Sequence, residues 1–158
     1  PNGQDMHKMI KLHHEPNRNL CISDYYFMNI FQLPLWGSQM YTNNAYLNNS
    51  TIDRKDKSKP LVVTMCGTYK LYTHPKLPTW RPRGRVDFQL IFIAAGKAHF
   101  HFDNDEEETI VHAGHMVLYR PREPQKYEYY AKDQTEVYWV HFTGNNVTNL
   151  APFLWIDK

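Results

Sequence analysis

The chain has 158 residues, 42% of them hydrophobic and 15% aromatic, which fits one domain with an extension and is enough apolar material for a core. Eighteen Lys and Arg against 16 Asp and Glu leave a formal charge of +2, too balanced for a nucleic-acid surface on this piece. The two cysteines, Cys21 and Cys66, exclude a disulfide framework and read as reduced thiols in a cytosolic protein, and no apolar run approaches transmembrane length.

The first twenty residues, with "MHKMIKLHHEPNRN", are polar and rich in histidine. Met6, Met9, Ile10 and His13 would share one face of a short helix that Pro16 ends. The histidines lack a carboxylate or cysteine at a recognised ligand spacing. "DYYFMNIFQLPLWG", from Asp24 to Gly37, is strongly apolar, and periodicity does not separate a buried helix from a strand there. "NNSTIDRKDKSKP", from Asn48 to Pro60, reads as an exposed loop or linker. Asn-x-Ser/Thr triplets occur at Asn48, Asn49 and Asn146, but no secretory signal accompanies them. Residues 1–60 are therefore set apart as an N-terminal extension of unassigned structure.

From Leu61 the pattern becomes that of strands. "PLVVTMCGTYKLYT" is β-branched and bounded by glycine. "RVDFQLIFIAAGKAHFHFD" reads as two strands about "AAGK". "TIVHAGHMVLYRP" holds two more about Ala113-Gly114, and "QKYEYYAKDQTEVYWVHFTG" is a hairpin turning near "AKDQ". Short strands with turns every eight to twelve residues predict an all-β sandwich or barrel over residues 61–142. In "YWVHFTG", alternation puts Trp139 and His141 on one face with Val137, and Tyr138, Val140 and Phe142 on the other, packing outward against the N-terminal segment or a partner. Residues 143–158 read as the start of a helix capped by Asn145 or Asn146, with Pro152 awkward inside it. Val147, Leu150, Phe153 and Leu154 are apolar residues that would be costly to leave in water, and they point to a homodimer.

Several motifs come in a telling order: Arg81-Pro82-Arg83-Gly84, Gly96-Lys97, Gly114 through Pro121, Tyr127, and Trp139 to Phe142. Together they resemble the ligand-sensing domain of AraC-family transcriptional regulators over roughly the second half of the chain. The resemblance implies a cupin-like jelly-roll barrel holding a small effector in its mouth, a dimerising helical segment after it, and a DNA-binding helix-turn-helix part that this chain does not contain. It departs from the family pattern at His115, where an Asp is usual, and at Gln125-Lys126, where a histidine often precedes the Tyr.

In the family's sugar sensor the position matching Arg81 contacts ligand hydroxyls, and a guanidinium offers several rigid donors for that work. Arg83 and Arg85 compete for the role. The resemblance also brings Tyr127 and Trp139 into the site: Trp139 offers a flat surface to the C–H face of a sugar, and Tyr127 a hydroxyl to its edge. Gln89, taken to lie on the strand that Arg81 leads, and His141 complete the expected ligand-binding set.

His99 and His101, in "HFH", would share a face, but their spacing from Gly96 does not fit the metal-binding cupin pattern. We therefore expect no metal and no cofactor, with these histidines acting as neutral hydrogen-bonders. "DNDEEE" lacks calcium-loop spacing and reads as a solvated turn. No nucleophile motif, P-loop or dinucleotide fingerprint occurs. The expected protein is a cytoplasmic, non-enzymatic effector-binding and dimerisation domain sensing a carbohydrate, with no membrane partner. A small cupin enzyme such as a sugar isomerase, or a carbohydrate-binding module, is the alternative.

Overall fold

Side chains that alternate between buried and exposed build two facing antiparallel sheets. The computed structural model describes residues 9–11, 39–47, 55–102 and 107–150. Its strands are β1 (Met9–Lys11), β2 (Met40–Tyr46), β3 (Val62–Leu71), β4 (Lys76–Arg81), β5 (Phe88–Ala95), β6 (Lys97–His101), β7 (Thr109–His112), β8 (His115–Tyr119), β9 (Gln125–Tyr130) and β10 (Glu136–Thr143). One sheet has six strands in the order β1-β8-β5-β10-β3-β2, the other four in the order β4-β9-β6-β7. Every pairing is antiparallel. This is the all-β jelly-roll architecture expected from the sequence.

The period of two decides which side chains meet between the sheets. β5 turns Gln89, Ile91 and Ile93 inward, and β10 turns Val137, Trp139 and His141 inward beside them. From the small sheet, β6 contributes Ala98 and Phe100, and β9 contributes Gln125, Tyr127 and Tyr129. Ile91, Ile93, Ala98, Phe100, Val111, Val117, Tyr119 and Val137 have no exposed surface. Each large apolar side chain so buried contributes about 1.5–3 kcal/mol. At the β5–β6 turn Gly96 has φ +67, and a Cβ there would run into the Asp133 and Gln134 backbone, so the turn needs glycine.

The structure differs from the sequence reading in four places. Met9–Lys11 is a strand paired with β8, not part of a helix. β2, also from the first sixty residues, pairs along its whole length with β3 and forms the edge of the large sheet. β4 is a strand although Pro78 lies inside it; it pairs only with β9, so the missing N–H falls on an edge strand. Phe142 does point outward, but this chain covers it: it stacks on Phe88 at 5.4 Å and packs with Leu118 and Val147, leaving it 7% exposed. The β10–β3 register shifts between His141 and Phe142.

After β10 the chain makes one helical turn, α1 (Val147–Leu150). Asn146 stands just before it, with its side-chain oxygen accepting from Asn149 Nδ2 at 2.7 Å. The Asp24 to Gly37 stretch, Cys21, the sequons at Asn48 and Asn49, Phe153 and Leu154 lie outside the described residues.

Candidate functional site

One end of the space between the sheets is polar, and a tight turn sets it up. Arg81 ends β4; Pro82 and Arg83 follow, and Gly84 N–H donates back to the Arg81 carbonyl at 3.0 Å. Gly84 has φ +59, and any Cβ there would collide with the Arg122–Glu123 backbone. Arg122 N–H in turn donates to the Arg85 carbonyl at 2.7 Å, so the 82–87 and 120–124 loops brace each other.

Arg81 lies directly across from Gln125 and shares its inward face. Its Nη1 donates to Gln125 Oε1 at 3.0 Å and makes a longer contact to the Tyr127 hydroxyl at 3.4 Å. Gln89 Nε2 reaches the same hydroxyl from β5 at 3.2 Å. Tyr127 thus joins the two sheets at this end. Gln89 belongs to the large sheet and Arg81 to the small one, so the expectation that they share a strand is wrong. They meet across the gap instead.

Trp139 and His141 come from β10, His141 directly opposite Gln89 in the ladder. Their rings meet edge to face at 4.9 Å. The Trp139 ring lies against β3 where its cross-strand partner is Gly67; a Cβ on Gly67 would stand 2.6 Å from Trp139 Cζ2. Tyr69, two residues along, tilts against Trp139 at 6.1 Å. Tyr127 packs on Phe100, Tyr119 and Tyr129 with ring centroids 5.4–5.9 Å apart. Burial pushes the Tyr129 phenol well above the ordinary range, and the neighbouring Tyr127 and Tyr119 add to the push.

A buried ionic network beneath these residues escaped the sequence reading. Asp87, 1% exposed, accepts from Arg85 Nε at 2.7 Å, from Arg85 Nη2 at 3.2 Å and from Thr64 Oγ1 at 3.2 Å. Burial by itself would raise the Asp87 carboxyl, but nearby His141 and the hydrogen bonds and charge of Arg85 outweigh it, so its pKa is lowered. His141 Nδ1 stands 3.6 Å from Asp87 Oδ1, too far for a good hydrogen bond, and the contact is chiefly electrostatic. Burial, then the Arg85 charge, outweigh the pull of Asp87 and lower the His141 pKa, which favours the neutral ring. Arg85 is thereby committed to Asp87 rather than competing with Arg81. The available signal was the i, i+2 spacing of Arg85 and Asp87, which puts both on one face of an extended segment. Thr64, 77 residues before His141, left no local trace.

Four buried polar atoms at this site have no hydrogen-bond partner: Gln89 Oε1, Gln125 Nε2, His141 Nδ1 and Trp139 Nε1, the last close to Tyr69 but without good geometry. Such atoms are costly unless something satisfies them. The arrangement sets unused hydrogen-bonding atoms beside an aromatic wall. All five expected residues, Arg81, Gln89, Tyr127, Trp139 and His141, lie on the inner face. Gln125, read in the sequence only as an absent histidine, anchors Arg81.

The "HFH" histidines lie elsewhere. His99 faces outward from the small sheet, where it touches Asp133 at 2.7 Å, Glu108 at 2.9 Å and the edge of Tyr130. His101 is on the same face, across from Lys126. Among the described residues no three His, Cys, Asp or Glu side chains form a group that could hold a metal ion. Cys66, free and half-buried on β3, has its thiol pKa raised by burial.

A family model described as "AraC-like ligand binding domain" matches residues 68–151, more than half of the chain. No curated protein shows significant sequence similarity to it. Solved structures with a related fold include the cupin domain of an XRE family transcriptional regulator from Enterobacter cloacae, at 9% identity and TM-score 0.43, covering 67% of this chain and 97% of that one. An HTH_3 family transcriptional regulator from Vibrio cholerae is similar at 13% identity and TM-score 0.43, over 65% of this chain and 50% of that one. Salicylate 1,2-dioxygenase from Pseudoaminobacter salicylatoxidans is similar at 16% identity and TM-score 0.42, over 73% of this chain and 27% of that one. Regulators and an enzyme stand side by side in this set, and likenesses this distant carry no functional argument.

Proposed function

Because the chain belongs to the AraC-like ligand-binding family, we propose that it is the effector-sensing part of a bacterial transcriptional regulator and that its effector is a sugar or sugar-like molecule. The effector sits between Arg81 and Tyr127 of the small sheet and Gln89, Trp139 and His141 of the large one. One observation carries this reading: a hydrogen-bonded set from both sheets, Gln125–Arg81–Tyr127–Gln89, meets an aromatic wall while buried polar atoms beside it lack partners. The protein works in the cytoplasm as a homodimer and reaches DNA only through a helix-turn-helix part outside this chain. No helix among the described residues is long and apolar enough to cross a membrane.

Effector binding acts by shifting a population. The ligand changes function only if it contacts two arrangements of the domain unequally. Tyr127 and Gln89 tie one sheet to the other, so a ligand inserted among them bears on the spacing of the sheets. An isomerase would need a free acid and base here. The nearest pair, Asp87 and His141, has its acid already held by Arg85 and Thr64.

The reading frame downstream of Lys158 tests the regulator reading. A helix-turn-helix module is expected there, and an immediate stop codon overturns it. Titration with a panel of pentoses and hexoses, followed by tryptophan fluorescence, tests the sensor reading; a saturable change that Trp139→Phe alters is expected. Sedimentation at micromolar concentration tests the dimer.

A further inference from the structure

We infer that the effector carries a carboxylate, held by Arg81, and is therefore a sugar acid or similar hydroxylated acid rather than a neutral sugar. This rests on the proposed sensing role of the polar end.

The argument is one of charge and of donors against acceptors. Four cations of the barrel have acid partners: Lys70 with Glu136 at 2.7 Å, Lys76 with Glu128 at 2.7 Å, Lys97 with Asp133 at 3.4 Å, and Arg85 with Asp87 at 2.7 Å. Arg81 is half-buried, and among the described residues its side chain bonds only to neutral oxygens, those of Gln125 and Tyr127. Asp87, the carboxylate of this network, is occupied by Arg85 and Thr64. Among the described residues the site thus has a positive charge that no acid beside it balances, and a partly desolvated cation favours an anion.

The unpartnered atoms point the same way. Gln125 Nε2 and Trp139 Nε1 are buried donors without acceptors. The Tyr127 hydroxyl accepts from both Arg81 and Gln89, which leaves its own proton to donate. A neutral sugar brings a proton with every hydroxyl oxygen and so needs acceptors as often as donors. A carboxylate only accepts, and its two coplanar oxygens fit the fork of one guanidinium. A phosphate would call for more than one cation. Gln89 Oε1, an unpartnered acceptor, is left for a hydroxyl on the same molecule. The Trp139 and Tyr69 rings can cover its C–H face.

Matched pairs test this: galactose with galacturonate, glucose with glucuronate and gluconate, and each hexose with its 6-phosphate, titrated by calorimetry and thermal shift. We expect at least one acid to bind tenfold or more tightly than its neutral partner and to weaken as salt rises. Arg81→Gln should erase that preference, and Arg81→Lys should keep part of it, with both variants retaining the wild-type circular dichroism spectrum. Neutral hexoses binding as tightly as the acids would overturn the charge assignment and leave the sugar-sensing reading standing. Tighter binding of the phosphates would overturn the carboxylate. An acid preference that survives Arg81→Gln would overturn the anchor. Silence across the whole panel would sink both this inference and the carbohydrate reading.

Discussion

The two ends of the space between the sheets are built on different terms. Near the β5–β6 and β9–β10 turns the interior is dry: Leu71, Ile93, Ala98, Val111 and Val137 fill it by shape, and the buried Thr135 hydroxyl is tied to the Lys97 carbonyl at 2.7 Å. At the opposite end Thr64, Arg85, Asp87, Gln89, Gln125 and His141 are buried too, yet these groups need named partners, and four atoms, on Gln89, Gln125, His141 and neighbouring Trp139, lack one. The dry end is complete as it stands. The polar end, among the described residues, leaves hydrogen-bonding capacity unused, which is what the proposed effector would take up.

Deleting the centre of the polar end should do the most damage. Asp87→Ala takes from the buried Arg85 its Asp87 partner and should lower the unfolding free energy in urea by about 3–5 kcal/mol. At the dry end Ile93→Ala should cost about 2–5 kcal/mol through the cavity it leaves, while the affinity for any effector, measured on the fraction still folded, stays close to wild type. Arg81→Ala should act on binding as well as on stability. Stability should fall by about 1–3 kcal/mol, because buried Gln125 Oε1 loses its donor, while binding by calorimetry weakens by about 1.5–3 kcal/mol. Tyr127→Phe removes one hydroxyl from the same set and should weaken binding by about 0.5–1.5 kcal/mol.

Acid is the mildest way to probe the contrast. His141 has a lowered pKa in the folded state, so the unfolded chain takes up a proton first, and stability should begin to fall as pH drops below about 6.5. Asp87 is lowered as well; its contribution is present above the ordinary Asp pKa and is lost as pH falls through its folded value. Both act in one direction, so melting temperature should decline in two stages on acidification. In His141→Gln the earlier stage should vanish. If it persists, another group is titrating.

How much of this was legible in the sequence depends on the reach of each contact. β5 to β10 could be read because each is a short alternating run closed by a turn, and alternation alone put Val137, Trp139 and His141 on one face. β4 was hidden by Pro78, which argues against a strand unless the edge position is known. β1 and β2 were hidden because their pairing with β8 and β3 lies across the fold. The Arg81–Tyr127–Gln89 set was guessed as three residues but not as a bridge between sheets, since neither sheet membership nor loop bracing is written in local spacing. The Asp87 network was missed for the same reason: its members come from β3, the segment after the Gly84 turn, and β10.

Gly67 makes the tryptophan wall dependent on an atom that is missing. The Trp139 ring, the Asn44 side chain and the Asn43 carbonyl together occupy the room a Cβ would take. A single base change that gave this glycine a methyl group would crowd these three groups and force the ring to shift. Under the proposed sensing role, such a variant would alter the response by moving Trp139, through a strand residue that itself meets no effector.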